Sequence, residues 1–327
     1  MNGNGSPHRP VEVIDAPFRE VADAPKAPRA RGKRLWPALL LFLLTVLSTL
    51  AVGSEFAVSY ANNVPPFSSS DDPFTPVFQA FAHPHLLLLG LPFSFTLIAI
   101  LLAHEMGHYL ACRYYRIDAS YPYFMPGPPY FGTFGAFILI RSRFTSRRAL
   151  FDVGIAGPIA GFLVAVPAMA WAVATSKVLP AAQANASVVF GVPPLMHLFV
   201  ALFHPNVDPN WLLLHPVGRA AWMGLLATAL NLFPAWQLDG GHIVFAVSSR
   251  RHQRISIAVS LVLLGMGIYG WHPWAVWGIA LLVLSLRFRH PPLLDQWEPL
   301  DASRKLLALA ALAIFLLSFT LWPATNP

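Results

Sequence analysis

The sequence is poor in charged residues and has almost no cysteine. Lysine, arginine, aspartate and glutamate make up 11% of its 327 residues, against about 25% in typical soluble domains. Hydrophobic residues reach 56% and the mean hydropathy is +0.55, which together indicate an integral membrane protein. The single cysteine, Cys112, excludes an intramolecular disulfide framework and a cysteine-rich metal site. Any metal ion must therefore be held by histidine and carboxylate side chains.

The basic residues outnumber the acidic ones, and their distribution predicts the membrane topology. They are scattered at the ends of apolar runs and form no stripe with aromatic side chains, so we expect no nucleic-acid partner. All of the 22 lysines and arginines except Lys177 and Arg219 fall in four groups, within 1–34, 113–150, 250–254 and 287–305. The positive-inside rule places these groups, and therefore the N-terminus, in the cytoplasm. Residues 1–34 are rich in proline, alanine, glycine and charge and should be disordered.

The apolar runs predict an all-α polytopic membrane protein with about seven transmembrane helices. The first run starts only at Leu35 and is long enough to span, so it predicts an anchor and not a cleavable signal peptide. Residues 53–85 contain no lysine or arginine and should form an external loop. The short runs within 255–286 form a hairpin that either crosses the membrane tightly or partly re-enters it. The seven predicted spans lie at about 35–52, 86–112, 151–175, 211–233, 255–269, 274–286 and 306–321.

An HExxH motif, made of His104, Glu105 and His108, interrupts the second apolar run. On a helix the two histidines stand one turn apart on one face, so both can bind the same ion, and Glu105 lies beside them without being a ligand. Polar and charged groups are costly in an apolar run unless they are paired or bind a metal. In this motif the metal acidifies a water molecule and the carboxylate takes its proton. The alternative, a solvated helix face, is weak because the run offers no solvated face.

A third ligand is predicted at Asp239, downstream of the fourth apolar run. Pro234 ends that helix, and Gly240 and Gly241 loosen the backbone after it, so Asp239 should lie in irregular backbone beside apolar helices. A carboxylate in such a place is costly without a cation, although a helix-capping role is the alternative. With two imidazoles it would complete a three-ligand site with a fourth position open. That ligand set favours zinc, with one ion per chain.

Aromatic, β-branched and glycine residues at 131–140 predict a short β-hairpin at the membrane interface. Prolines at positions 122, 126, 128 and 129 preclude a helix before it. Non-helical backbone at membrane depth is tolerated only where protein or a water-filled cavity receives it, so the hairpin should border the active-site cavity. The alternative is a plain amphipathic surface loop. The residues expected to contact a substrate are Phe134, Gly135, Ala136, Phe137 and Ile138.

Two motifs together resemble the site-2 protease family of intramembrane zinc metalloproteases. The sequence HEMGH at 104–108 lies on one apolar run, and NLFP at 231–234 with LDGG at 238–241 lies on a later one. The FGTFGA stretch at 131–136 resembles the family's membrane-re-entrant β-hairpin, and Gly157-Pro158 with Gly161 resembles its small-residue motif. These stretches are most similar to the branch that includes plastid members. Residues 176–210 contain no PDZ-like insertion, so we place the chain in a branch without PDZ domains.

The resemblance implies a three-helix catalytic core with His104, His108 and Asp239 as zinc ligands and Glu105 as general base. Asn231 matches a family asparagine that holds the substrate backbone or the oxyanion. The implied reaction is hydrolysis of a peptide bond within or next to a transmembrane segment of a membrane-protein substrate. On this basis the chain divides into a cytoplasmic segment at 1–34, a first transmembrane helix with an external loop at 35–85, a metalloprotease core at 86–245 and C-terminal transmembrane helices at 246–327.

Two other functions are compatible with parts of the pattern. A membrane metal transporter would use the 12 histidines and the intramembrane carboxylates, but most of these histidines lie between the apolar runs. An inactive protease-like membrane scaffold would have lost catalytic groups, whereas Glu105 and all three predicted ligands are present. We therefore expect a multi-pass protein in the lipid bilayer of the cell membrane, with its site toward the cytoplasmic leaflet and a transmembrane protein as its substrate.

Overall fold

The fold is mostly helical. A computed structural model describes residues 35–67, 72, 74–179, 189–288, 290–291, 293 and 299–325, so the predicted disorder of 1–34 lies outside the described residues. The α-helices in this part of the chain are α1 (Trp36–Asn62), α2 (Thr75–Ala82), α3 (Pro84–Leu87), α4 (Leu91–Tyr114), α5 (Arg147–Thr175), α6 (Pro194–Phe203), α7 (Pro216–Asn231), α8 (Asp239–Val247), α9 (Ser249–Tyr269), α10 (Pro273–Arg287) and α11 (Ala302–Ser318).

Four helical segments are long and apolar enough to cross a membrane, namely Trp36–Asn62, Pro84–Tyr114, Arg147–Thr175 and Ser249–Tyr269. The other three predicted spans correspond to α7, α10 and α11, which have 16, 15 and 17 residues. At 1.5 Å per residue these helices are about 22–26 Å long, less than a hydrocarbon core of about 30 Å. The chain is thus a helical membrane protein with four candidate spans, and the count of seven stays a prediction.

The first helix is longer than its apolar run. The predicted span ends at Val52, but α1 continues to Asn62, so part of the predicted external loop is helical. Gly53 allows close packing here, because an added Cβ would lie 2.7 Å from the carbonyl oxygen of Gly90. The carboxylate of Glu55 accepts a hydrogen bond of 2.9 Å from the hydroxyl of Ser59 within the helix. Glycine is a poor helix former, but at position 53 it permits the close approach of α1 to Gly90.

The centre of the fold is formed by α4, α5 and α7, which pack against one another. Apolar side chains fill the space between them, including Leu97 and Ile100 of α4, Met169 of α5 and Leu225 of α7. Helix α8 packs on α5, and α11 lies against α5 and α7. Helices α9 and α10 pack mainly on each other, and α9 also contacts α8. The central helices therefore bring residues from distant parts of the sequence to one place.

A short antiparallel hairpin joins β1 (Tyr123–Pro126) to β2 (Thr133–Phe137) and lies beside α1. The ring of Phe124 is buried and lies 5.2 Å from the ring of Phe42, which fixes β1 on α1. The predicted hairpin lies wholly within 131–140, and this boundary is wrong because β1 lies upstream, among the prolines. Proline is compatible with an edge strand, and the contact that holds β1 is tertiary.

Four further strands are only two residues long and lie away from the hairpin. The strand β3 (Lys177–Val178) pairs with β5 (Leu212–Leu213), and β4 (Val189–Phe190) pairs with β6 (Ala324–Thr325). Both pairs are antiparallel. They tie together segments next to the ends of helices.

Candidate active site

The two histidines of the HExxH motif and the aspartate that comes after α7 meet in the interior of the protein. His104 and His108 are 4% and 6% exposed, and both lie on α4. The Nε2 atom of each lies 3.2 Å from Oδ2 of Asp239. The two Nε2 atoms are also 3.2 Å apart. The three potential ligand atoms therefore form a nearly equilateral triangle.

The size of this triangle fits a bound zinc ion. In a tetrahedral site with zinc–ligand bonds of about 2.0–2.1 Å, ligand atoms lie about 3.3 Å from one another. The three separations of 3.2 Å match that value. No other group of three or more potential metal ligands occurs in the part of the chain that the structure describes. His104, His108 and Asp239 can thus hold one metal ion without rearrangement.

The backbone of α5 orients one of the imidazoles. The Nδ1–H group of His108 donates to the carbonyl oxygen of Val153 over 2.7 Å. This hydrogen bond places the ring proton on Nδ1 and leaves the lone pair of Nε2 free for a metal ion. Such partners of ligating histidines fix the tautomer and the ring orientation. The α4–α5 packing therefore sets the chemistry of the ligand as well as its position.

Two glycines of α5 make room for the imidazole rings. A Cβ added to Gly157 would lie 2.1 Å from Nε2 of His108, and one added to Gly161 would lie 3.1 Å from Cβ of His104. The sequence identified both glycines only as part of a small-residue motif. In the structure the imidazole rings of His108 and His104 occupy the space that side chains at Gly157 and Gly161 would fill. The small-residue motif of α5 is thus part of the metal centre.

Asp239 reaches the site because the chain turns sharply between α7 and α8. α7 ends at Asn231, Trp236 adopts a left-handed conformation with φ of 47°, and α8 begins at Asp239 itself. A Cβ added to Gly240 would lie 2.0 Å from the carbonyl oxygen of Leu232, so only glycine permits this close turn. The prediction that Asp239 lies in irregular backbone is wrong, because α8 begins at Asp239 and includes both following glycines. The carboxylate lies in the first turn of a helix, where the helix dipole favours a negative charge.

Glu105 and Asn231 lie beside the triangle. Glu105 is 4% exposed, and the backbone of Ile138 lies within hydrogen-bonding reach of its carboxylate. The amide nitrogen of Asn231 lies 3.2 Å from Nε2 of His104. A cavity of about 190 Å³ borders all three potential ligands together with Glu105 and Asn231. The arrangement offers a metal position, a carboxylate and an amide donor around one cavity.

The hairpin borders the same space. Ala136, Phe137 and Ile138 line the cavity of about 190 Å³. Phe134, Gly135 and Ala136 line a second cavity of about 100 Å³ that also touches Glu105. All five hairpin residues that the sequence predicted to contact substrate therefore lie next to the metal-binding triangle.

Gln237, His242 and Trp277 are among the further residues that line these cavities, and the sequence patterns assign none of them a role. Gln237 and His242 line the larger cavity, and Trp277 of α10 lines the smaller one. His242 lies one helical turn after Asp239, and its Nδ1 atom is 3.0 Å from Nε2 of His290. The sequence contained one signal for His242, namely its position three residues after the predicted ligand Asp239. Trp277 is near the site only because of tertiary packing.

A buried His-His-Asp triangle next to a glutamate, built from an HExxH motif on an apolar helix, defines a membrane-embedded metallohydrolase type of site. The family model of Peptidase family M50 matches residues 92–268, which is more than half of the chain. The chain belongs to this family, the site-2 protease family. The resemblance drawn from the two motifs is confirmed.

Curated relatives point to the same family. The "Probable zinc metalloprotease EGY1, chloroplastic" of Arabidopsis thaliana is 29% identical over 299 residues, which cover 88% of this chain and 52% of the relative. The protein of the same name from Oryza sativa subsp. japonica is 29% identical over 301 residues, or 88% and 50%. The "Probable zinc metalloprotease EGY2, chloroplastic" of Arabidopsis thaliana is 28% identical over 319 residues, or 96% and 52%. The chain spans about half the length of these relatives.

Proposed function

We propose that this chain is an intramembrane zinc endopeptidase that hydrolyses peptide bonds within or next to transmembrane segments of membrane proteins. The observation that carries the proposal is the buried triangle of His104, His108 and Asp239 with Glu105 beside it. Membership of Peptidase family M50 supports the reaction class. Relatives named as probable zinc metalloproteases support the choice of metal.

The residues around the cavity have separate roles in hydrolysis. His104, His108 and Asp239 would hold zinc, whose Lewis acidity would polarise a carbonyl group and make water a stronger acid. Glu105 accepts a proton from the attacking water and delivers it to the leaving nitrogen, so that one water and one peptide bond give a carboxylic acid and an amine. Asn231 donates its amide N–H to the oxygen on which negative charge develops, or to the substrate backbone.

The hairpin supplies a place for an unwound substrate. A helical peptide bond is screened by its own side chains and hydrogen bonds, so cleavage requires local unwinding, and the freed backbone groups need new partners inside a membrane. Among the described strands, β2 is paired only with β1. Its other edge can bind an extended segment by strand addition. The residues that we propose to contact the substrate are Phe134, Gly135, Ala136 and Phe137 of β2, with Ile138 directly after the strand. We also propose that the hairpin is membrane-re-entrant.

The topology of the chain is also a proposal. We place the N-terminus in the cytoplasm, because the basic residues cluster between apolar segments that would then end on that side. The short helices α7, α10 and α11 complete a seven-span arrangement if the membrane thins locally or other helices surround them. The site then lies toward the cytoplasmic leaflet of the cell membrane.

The two alternative functions are not favoured. A metal transporter needs polar groups along a path across several spans, whereas the potential ligands in the described part of the chain form one compact triangle. An inactive scaffold would not need a carboxylate at Glu105, which is costly to bury. The presence of base and ligands together therefore favours an enzyme.

One experiment tests the proposal. The purified full chain in liposomes should cleave a model transmembrane peptide, and a zinc chelator should stop the reaction. Glu105→Gln should lower the rate by about 10²–10⁴-fold, because general acid–base catalysis contributes about that much. The zinc content of this variant should stay at one ion per chain, because Glu105 is not a ligand.

Glu55→Gln is the matched control, since Glu55 lies on α1 and pairs with Ser59 away from the site. This variant should cleave the peptide at the wild-type rate. Cleavage that survives in Glu105→Gln, or in the presence of the chelator, would refute the assignment. Zinc transport into liposomes without peptide cleavage would favour the transporter instead.

A further inference from the structure

The smaller of the two cavities next to the metal-binding triangle has a distinct chemistry. It measures about 100 Å³ and shares His104, Glu105, Ala136 and Asn231 with the larger cavity. A substrate backbone that lies against these four residues is therefore adjacent to both cavities. One of its side chains can enter the smaller one without any movement of the protein.

The remaining walls of this cavity are apolar or small. α4 contributes Ile100 and Leu101, and α7 contributes Gly224 and Ala227. The one hydroxyl group among these walls, that of Thr228, donates to the carbonyl oxygen of Gly224 over 2.9 Å. Apart from the indole N–H of Trp277, no side-chain donor of these walls is left to bind a polar ligand. An unpaired polar or charged side chain is costly in such surroundings, so the cavity favours an aliphatic one.

The volume limits which aliphatic side chain fits. An apolar cavity of about 150 Å³ binds benzene. A cavity of about 100 Å³ therefore matches a side chain of roughly three or four carbons, such as valine or leucine, and excludes an aromatic ring. The limit depends on the residue that closes the cavity.

That residue is Trp277 of α10. Helix α10 packs mainly on α9 and lies outside the central group of α4, α5 and α7, yet its Trp277 side chain forms a wall of the cavity beside Glu105 and Asn231. Trp277 is 37% exposed, so its indole separates the cavity from the exterior of the protein. Its removal would enlarge the cavity outward and leave the central helices in place.

We propose that the smaller cavity binds the side chain of one of the two residues that flank the scissile bond, and that Trp277 sets the upper limit on its size. The occupant is a small aliphatic side chain of the transmembrane substrate. This inference rests on the proposed function, because it names the substrate class of the same site.

Two opposite substitutions test the size limit. The full chain in liposomes would be given model substrates with alanine, leucine or phenylalanine at each flanking position in turn. At one position the wild type should cleave the phenylalanine substrate at least tenfold more slowly than the leucine substrate, the scale on which apolar pockets discriminate. Trp277→Ala should raise the phenylalanine-to-leucine ratio of kcat/KM at least tenfold. Ala227→Leu should lower the leucine-to-alanine ratio at least tenfold, because leucine at 227 fills the cavity.

Trp271→Ala is the matched control. It removes an indole from the same helical hairpin, but Trp271 packs on Trp274 and does not line the cavity. Any general loosening of α9 and α10 should lower all rates together in this variant and leave the ratios unchanged. The size limit is overturned if Trp277→Ala and Ala227→Leu also scale all substrates equally.

A second measurement does not depend on turnover. The Glu105→Gln protein would be given the same substrate with a photoreactive diazirine analogue of leucine at each flanking position. Mass spectrometry should locate the cross-link at Trp277 or Ala227 for one position and elsewhere for the other. Cross-links that avoid both residues would overturn the inference. Cross-links at these residues without cleavage by the wild type would instead mean that the binding site is right and the proposed function is wrong.

Discussion

Replacing Gly157 by alanine should weaken metal binding at least 100-fold although it adds only one methyl group. The added Cβ would lie 2.1 Å from Nε2 of His108, whereas ordinary contacts start near 3.4 Å. The imidazole must therefore move by more than about 1 Å, and metal sites tolerate changes of only about 0.2 Å in ligand distances. The hydrogen bond from His108 to Val153 resists a rotation of the ring to another position. His108 is thus lost as a ligand.

The expected decrease in metal affinity follows from the loss of one of the three ligands. Disturbing only the partners of a ligand typically costs 10- to 100-fold in metal affinity. Displacing the ligand itself should cost at least 100-fold, or about 2.8 kcal/mol. The helix does not explain such a loss, because glycine to alanine in a helix interior is stabilising by roughly 0.5–1 kcal/mol. Gly161→Ala should have a smaller effect, since its Cβ would lie 3.1 Å from Cβ of His104.

The assay is the zinc content of the purified protein, measured by mass spectrometry, together with a titration against a chromophoric chelator at fixed pH. Gly265→Ala in α9 is the matched control, because an added Cβ there meets no atom within 4 Å, and it should bind zinc as the wild type does. A Gly157→Ala protein with wild-type zinc affinity would refute the reasoning, since it would mean that His108 is not held where the structure places it.

Three further predictions concern the hairpin, the last helix and the pH dependence. Ala136→Pro should lower cleavage while zinc content stays constant, because β2 loses a backbone donor; full activity would contradict strand addition by substrate. Arg304→Ala should lower the free energy of unfolding by about 1–3 kcal/mol, and with it the melting temperature, because it removes two hydrogen bonds of 2.8 and 2.5 Å to Asp152. Lys305→Ala, which changes an exposed neighbour, should leave the melting temperature unchanged. Burial lowers the pKa of His290 to about 4, so this histidine is neutral in the folded protein near pH 7. Its contribution to the free energy of unfolding is complete above about pH 6.5, and it should be lost as the pH falls toward 4. Melting temperatures measured across that range should vary less in His290→Phe, and an unchanged profile would contradict the assigned cause.

The sequence predicted the potential ligands because their signals are local. The spacing of His104 and His108 places them on one face of any helix, and Asp239 is conspicuous as a carboxylate beside apolar runs. The structure brings the three side chains within 3.2 Å of one another. Their catalytic roles, and those of Glu105 and Asn231, stay predictions until the variants are measured.

Other features could not be predicted because they depend on tertiary contacts. Gly157 belongs to a small-residue motif that has the same sequence whether it faces a helix or an imidazole ring. The strand β1 lies in a proline-containing stretch and is held by the contact of Phe124 with Phe42, so composition alone misplaced the start of the hairpin. Trp277 is one of 10 tryptophans, and nothing in its neighbouring residues distinguishes it from the others.

The number of membrane spans cannot be read from composition alone. Apolar composition identifies segments that prefer a nonpolar environment, but it does not distinguish lipid from protein. Helix α7 is apolar and nearly completely buried among its neighbours, so its hydrophobic residues serve packing within the fold. By length and composition together, four of the described helical segments qualify as candidate spans.

The metal-binding triangle also affects how the chain is assembled. His104 and Asp239 are 135 residues apart, so an ion bound to both acts as a cross-link over a long loop. A covalent link over a loop of about 100 residues lowers the entropy of the unfolded chain by the equivalent of about 4.7 kcal/mol. The stabilisation is smaller for helices already inserted in a bilayer, because the bilayer already restricts the chain. During synthesis α4 carries only two imidazoles until α8 has been made. An ion that needs all three ligands would therefore bind only after α8 has been made, and it would then hold α8 against α4.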